Sequence, residues 1–164
     1  MLSKAVHEAI SDQVKSEISS AYLYLGMSAF CESENLPGFA RWLRLQWEEE
    51  LGHAMKLFDY VHERGGMVAL QAIEKPQSKW KSPLDVFEQV LAHEQKVTAS
   101  INKVYEVAVR EKDYPTQIEL QWFIKEQVEE EKHASEIIEL MKLAGTSGPS
   151  LVMLDRQLGA RAKG

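Results

Sequence analysis

A shift of 77 residues carries Glu17 onto Glu94, Glu49 onto Glu126, Glu50 onto Gln127 and His53 onto Glu130, with no gap in either half. Each of these residues lies in a run whose apolar residues recur every three or four positions, the spacing of a buried helix face. Glu50 and His53 are themselves three apart, and they share one face with Phe39, Leu43, Leu57 and Val61. A carboxylate and an imidazole on a buried face need a partner that offsets their lost hydration. Two helix pairs related by an internal two-fold would bring the polar residues of both halves together at its centre.

The first predicted helix runs from about Ser3 to Glu34. Ile10, Val14, Glu17, Ala21, Tyr24 and Ser28 form its inner stripe, with Ile18, Tyr22, Leu25 and Ala29 as a second apolar stripe beside it. A helix apolar on two sides is covered on two sides, so one side is expected to meet the bundle and the other a second subunit. Asn35-Leu36-Pro37-Gly38 breaks the chain. The second helix runs from about Gly38 to Arg64 and stops at Gly65-Gly66. The stretch from Met67 to Ser82 has no helical period. Extended, it reaches about 50 Å, enough to return along a helix of roughly 40 Å and start the third helix parallel to the second. Val68, Leu70, Ile73 and Trp80 argue for a crossover that packs rather than a free loop.

Ser82-Pro83 is a helix start, and the third helix continues to about Lys112 with Phe87, Leu91, Glu94, Thr98, Ile101, Tyr105 and Ala108 inward. Asp113-Tyr114-Pro115 turns into the fourth, which carries Leu120, Phe123, Gln127, Glu130, Ala134, Ile137 and Met141 inward and ends at Gly145. After Gly145-Thr146-Ser147-Gly148-Pro149 comes a short tail with Leu151, Leu154 and Leu158 on one face. It is too short to be stable alone in water and must dock, with a subunit contact as the natural candidate. The expected architecture is all-α and single-domain over residues 1–164. It is a four-helix bundle at about 3–145, with a long crossover between helices two and three and a short fifth helix at about 149–160.

The four inner stripes are apolar except near mid-length, where they carry Glu17, then Glu50 and His53, then Glu94, then Gln127 and Glu130. Four carboxylates and one imidazole make a mostly oxygen donor set, which disfavours structural zinc and suits iron or manganese. A pair of divalent ions would balance the four negative charges. The single cysteine, Cys31, excludes an intrachain disulfide and a Cys-x-x-Cys metal site. A net charge of −6 argues against nucleic acid as a partner, and Arg161 and Lys163 are too thin a basic tail to change that. The longest uncharged stretch, Ile18 to Cys31, is too short to span a bilayer. Met1-Leu2-Ser3-Lys4 opens no apolar signal region, so a cytoplasmic protein is the simplest expectation.

These residues resemble those of non-haem bacterial and archaeal ferritins over essentially the whole chain. Ferritin-like di-iron bundles take one Glu from each of two helices and Glu-x-x-His from each of the other two. Here Gln127-x-x-Glu130 replaces the second Glu-x-x-His, as in ferritins and unlike bacterioferritins. The resemblance implies that Glu17, Glu50 and His53 hold one iron and that Glu50 bridges. Glu94 and Glu130 would hold the second, with Gln127 at the edge as a hydrogen-bond partner. It further implies a third iron site in which Glu49, Glu126 and Glu129 join Glu130, and a Tyr24 that hydrogen-bonds a ligand and takes part in redox chemistry. It implies a hollow shell of octahedral symmetry, a homo-24-mer that oxidises Fe2+ with O2 or H2O2 and stores ferric mineral. Haem is not expected, because Leu51 follows Glu50 where haem-binding relatives place Met. The alternative is a di-iron redox enzyme of the peroxidase type without a storage role, although its rubredoxin-tailed form needs four cysteines.

Asp113 and Glu119 are candidates for an iron uptake route, since Thr116-Gln117-Ile118-Glu119-Leu120 offers only one acid where animal ferritins line a pore with two. Trp122, Met55 and Cys31 are read as packing residues, His7, His62 and His133 as surface, and His93 as surface or interface.

Overall fold

The structure is a computed structural model that describes residues 1–145 and 148–161. Thr146 and Ser147 of the expected break, and Lys163 of the tail, lie outside the described residues. Five helices follow in order: α1 (Lys4–Ser33), α2 (Pro37–Glu63), α3 (Pro83–Arg110), α4 (Tyr114–Ala144) and α5 (Gly148–Gly159). No helix among the described residues is long and apolar enough to cross a membrane.

The helix starts follow local chemistry. Ser3 accepts from the Val6 amide, Ser82 from that of Asp85 and Asp113 from that of Thr116, so each caps an N-terminus. Proline occupies the first turn of α2, α3 and α4, where its missing N–H costs nothing. α2 differs, because its cap residue Leu36 has no side chain able to accept. Asp155 of α5 does so instead, taking the Gly38 and Phe39 amides at 2.7 and 3.0 Å. Gly65 takes φ +74 just past the end of α2, as its place after the last apolar repeat predicts.

Cross-helix hydrogen bonds set the directions. Ser20 meets His93 while Gln13 meets Ser100, so α1 and α3 are antiparallel. Gln46 meets Glu130 while Tyr60 meets Thr116, so α2 and α4 are antiparallel as well. The tight α1–α2 turn then makes α3 parallel to α2, as the length of the crossover predicts. Val68 and Trp80 of the crossover are buried, but Leu70 is 72% exposed and Ile73 37%. The crossover is therefore pinned at its ends, with its middle uncovered in the single chain.

Two corrections concern packing. The inner face of α3 is turned from the expected stripe: Val90, Val97 and Val104 are buried with Glu94 and Ile101, whereas Leu91, Thr98 and Tyr105 are only half-buried. The three valines alternate with the expected residues at steps of three and four, and periodicity alone cannot choose between adjacent stripes. The tail helix docks on its own chain, burying Leu154 and Leu158 against Trp42 and Ile137, rather than requiring another subunit.

The apolar interior consists of two clusters. One holds Tyr24, Phe39, Phe87 and Met141 with the α5 leucines; the other holds Ile10, Leu57, Ile101 and Leu120. A layer of buried polar side chains lies between them.

Candidate metal centre

Glu17 from α1, Glu50 and His53 from α2, Glu94 from α3, and Gln127 and Glu130 from α4 form that layer, each at most 7% exposed. The positions matched by the 77-residue shift, Glu17 with Glu94, Glu50 with Gln127 and His53 with Glu130, are thus all buried in one layer. Ligand atoms of Glu17, Glu50 and His53 lie within 4.8 Å of one another, and so do those of His53, Glu126 and Glu130. Glu126 and Glu49 are half-buried at the edge of the layer and Glu129 is exposed. Glu94, Glu49 and Glu129 belong to neither group among the described residues.

Three glutamine amides orient three of the carboxylates. Gln13 Nε2 donates to Glu17 at 2.8 Å, Gln46 Nε2 to Glu130 at 2.8 Å, and Gln127 Nε2 to Glu94 at 3.1 Å. The Tyr24 hydroxyl also donates to Glu94. Each amide is itself held: Ser100 donates to Gln13 at 2.6 Å, Arg161 donates to Gln46, and Gln127 also bonds Thr98 at 3.2 Å. The sequence reading missed Gln13 and Gln46. Each lies four residues before a site glutamate on the same stripe, a signal that was legible there.

Glu17 Oε2 and Glu50 Oε2 are buried with no donor facing them. Glu50 Oε2 stands 3.6 Å from His53 Nδ1, outside hydrogen-bond reach, and the two carboxyls face each other, so a proton or a cation would satisfy these oxygens. Burial, and then the Glu50 carboxyl, push Glu17 well above 4.5. Burial and then Glu94 do the same to Glu50. Burial raises Glu94 despite its hydrogen bonds from Tyr24 and Gln127. Burial and then Glu94 lift Glu130 to about 7. Burial, followed by Glu94, also raises the Tyr24 hydroxyl, so Tyr24 remains a donor. A carboxylate-rich pocket with orphaned buried oxygens fits one or more divalent cations, which would displace the protons it otherwise retains.

This gives a pH dependence. Between the ordinary carboxyl value of 4.5 and about 7, folded Glu130 keeps a proton that the unfolded chain releases. The Glu130 share of the metal-free protein's stability is therefore lost as pH rises through that window, with the raised Glu17, Glu50 and Glu94 acting in the same sense and the lowered His93 in the opposite one. The melting temperature in chelator is expected to fall from pH 5 to pH 7, and Glu130→Gln is expected to flatten part of the slope. An unchanged slope in that variant would assign the effect elsewhere.

Several residues differ from their expected settings. Trp122 is 40% exposed rather than core, and its ring stands edge-on to His53 with centroids 5.3 Å apart. Met55 is 49% exposed in the single chain. His93 is not a plain surface residue. It bonds Ser20 at 2.7 Å, packs edge-on against Tyr24, and is held neutral by burial, which lowers it to about 4. Cys31 is buried, as expected, and His133 and His62 are exposed. His7 is half-buried and bonds the Met67 carbonyl at 2.9 Å. Asp113 is held by Arg64 at 3.0 and 3.2 Å, and Glu119 by Lys56 at 3.1 Å, so both suggested uptake acids already have cationic partners.

Fold and site together define a helical bundle with a buried carboxylate–histidine cluster of the kind that could hold a metal ion. Comparison with known proteins agrees: a family model described as a ferritin-like domain matches residues 7–144. The chain is 40% identical over 161 residues to a bacterial non-heme ferritin of Bacteroides fragilis, covering 98% of this chain and 100% of that one. It is 37% identical over 158 residues to the bacterial non-heme ferritin of Escherichia coli, covering 96% of each. An open pore ferritin from the hyperthermophilic archaeon Archaeoglobus fulgidus superposes with a TM-score of 0.97 at 48% identity, over 99% of this chain and 100% of that one. An engineered closed form of the A. fulgidus ferritin gives 0.98, again at 48% identity and over 100% of each chain. The chain belongs to the ferritin family.

Proposed function

We propose that this protein stores iron and is a ferroxidase, oxidising Fe2+ at a di-iron centre and keeping the ferric product as hydrated oxide inside a shell of its own copies. The observation that carries this reading is the pair of orphaned oxygens on Glu17 and Glu50, in a layer where four buried carboxylates and one imidazole converge. Glu17, Glu50 and His53 would receive one ferrous ion, and Glu50, Glu94 and Glu130 the other. Gln127 and Tyr24 hold the Glu94 carboxylate in place through its two oxygens. Each ferrous ion gives up one electron, and dioxygen takes two electrons and two protons to become hydrogen peroxide. The protein supplies position and charge. Glu126, already grouped with His53 and Glu130, would form the third iron site with Glu49 and Glu129.

The shell is proposed as a 24-subunit assembly. Tyr22 and Leu25 on α1 and Leu70 and Ile73 on the crossover are exposed in the single chain and supply apolar surface for further copies.

The test is to add ferrous iron aerobically to the metal-free protein and follow oxygen use and absorbance. Glu50→Ala with His53→Ala is expected to slow oxidation by about a hundredfold, the scale on which loss of a positioned metal ion is felt. Equal rates in both proteins would reject the centre. A sizing measurement tests the shell independently.

A further inference from the structure

Arg161, two residues beyond the end of α5, reaches back to the metal layer. Its Nη2 donates to both oxygens of Glu49, at 3.0 and 2.8 Å. Its Nη1 donates to Gln46 Oε1, and its guanidinium lies over the Trp42 ring, 4.9 Å from the centroid. A guanidinium can only donate, so it fixes which end of the Gln46 amide is oxygen. The amide nitrogen must then face Glu130, which it meets at 2.8 Å. One side chain thus neutralises an acid at the edge of the site and locks the orientation of a buried one. The approach is built into the fold: Arg41 Nη1 donates to the Gly159 carbonyl at 2.6 Å, and Gly159 packs so closely on Gly38 that an added Cβ would lie 3.0 Å from the Gly38 Cα.

We propose that Arg161 is a positioning residue that competes with a divalent cation for Glu49 and, through Gln46, holds Glu130 towards the metal pair. Glu126 already stands within metal-binding reach of His53 and Glu130, while Glu49 does not. Both Glu49 oxygens accept from Arg161 Nη2, so a cation at Glu49 meets a positive charge and two charge-assisted hydrogen bonds already in place. A cation at the third position then competes with Arg161 for Glu49, and the C-terminal tail regulates how readily iron leaves the pair for that position. This inference rests on the metal-centre reading above.

Co2+ serves as the probe, titrated into metal-free full-length protein by calorimetry and visible absorption. Two stronger steps are expected in every variant that keeps the pair. Arg161→Gln is expected to tighten a weaker third step by about fivefold, the upper range for a partly exposed ion pair. Arg161→Lys, which keeps the charge but not the fork, should fall between. Adding Glu49→Gln to Arg161→Gln should abolish the gain. Gln46→Leu leaves Arg161 on Glu49, so it should alter the visible band of the stronger sites without tightening the third step. A third step that Arg161→Gln leaves unchanged or weakens would overturn the proposal while leaving the pair intact. So would a gain that survives the Glu49 substitution, or a Gln46→Leu band that matches wild type. Absence of the two stronger steps in wild type would overturn the metal centre and this inference with it.

Discussion

Glu50→Gln is expected to raise the melting temperature of the metal-free protein. Glu50 is 1% exposed, its Oε2 has no donor, and its neighbours include Glu17, Glu94 and Glu130. An amide of the same shape cannot ionise beside the other carboxyls and can donate to the orphaned Glu17 oxygen. Relieving one unsatisfied buried group is worth on the order of 1–3 kcal/mol, and in a chain of this size that raises the melting temperature by roughly 2–12 °C. Saturating divalent ion should invert the order, because wild type gains binding free energy that the variant largely forgoes. Thermal unfolding of both proteins, in chelator and in excess Co2+, measures the two halves. A variant less stable than wild type in chelator would mean that Glu50 is already satisfied without metal.

Gly38→Ala is expected to have the opposite and larger effect. In a helix, alanine is ordinarily better than glycine by about 1 kcal/mol. Here an added Cβ would lie 1.7 Å from the Asp155 carbonyl oxygen and 2.5 Å from its carbon. Those are backbone atoms, and α5 can relieve the clash only by moving as a unit. Moving it uncovers Leu154 and Leu158 and withdraws the Asp155 carboxylate from the start of α2. Overpacking of this severity costs on the order of 3 kcal/mol or more, a fall of roughly 6–12 °C in melting temperature. Gly52→Ala, where a Cβ meets nothing within 4 Å, is the control and should be neutral or mildly stabilising. Hydrogen exchange at Leu154 and Leu158 would report whether α5 has left. An unchanged melting temperature for Gly38→Ala would show that the α2–α5 crossing is looser than described.

The sequence by itself determined the elements and the polar layer. Apolar residues at steps of three and four, the Ser82 and Asp113 caps, and the breaks at Pro37 and Gly65 are local signals. They placed each of the first four helices to within a residue or two at either end. Glu17, Glu50, His53, Glu94 and Glu130 were visible because each interrupts an apolar stripe at one height, and the length of the crossover sufficed to orient α3. Only the tertiary structure decided what those residues touch. Gln46 meets Glu130 across 84 residues, Arg161 meets Glu49 across 112, and Asp155 meets Gly38 across 117. It also chose between adjacent stripes on α3, laid α5 on its own chain, and left Trp122 half-open beside His53. The physical reason is range. Periodicity reports which way a side chain faces from its own helix, whereas a hydrogen bond or an ion pair depends on which other helix arrives opposite it.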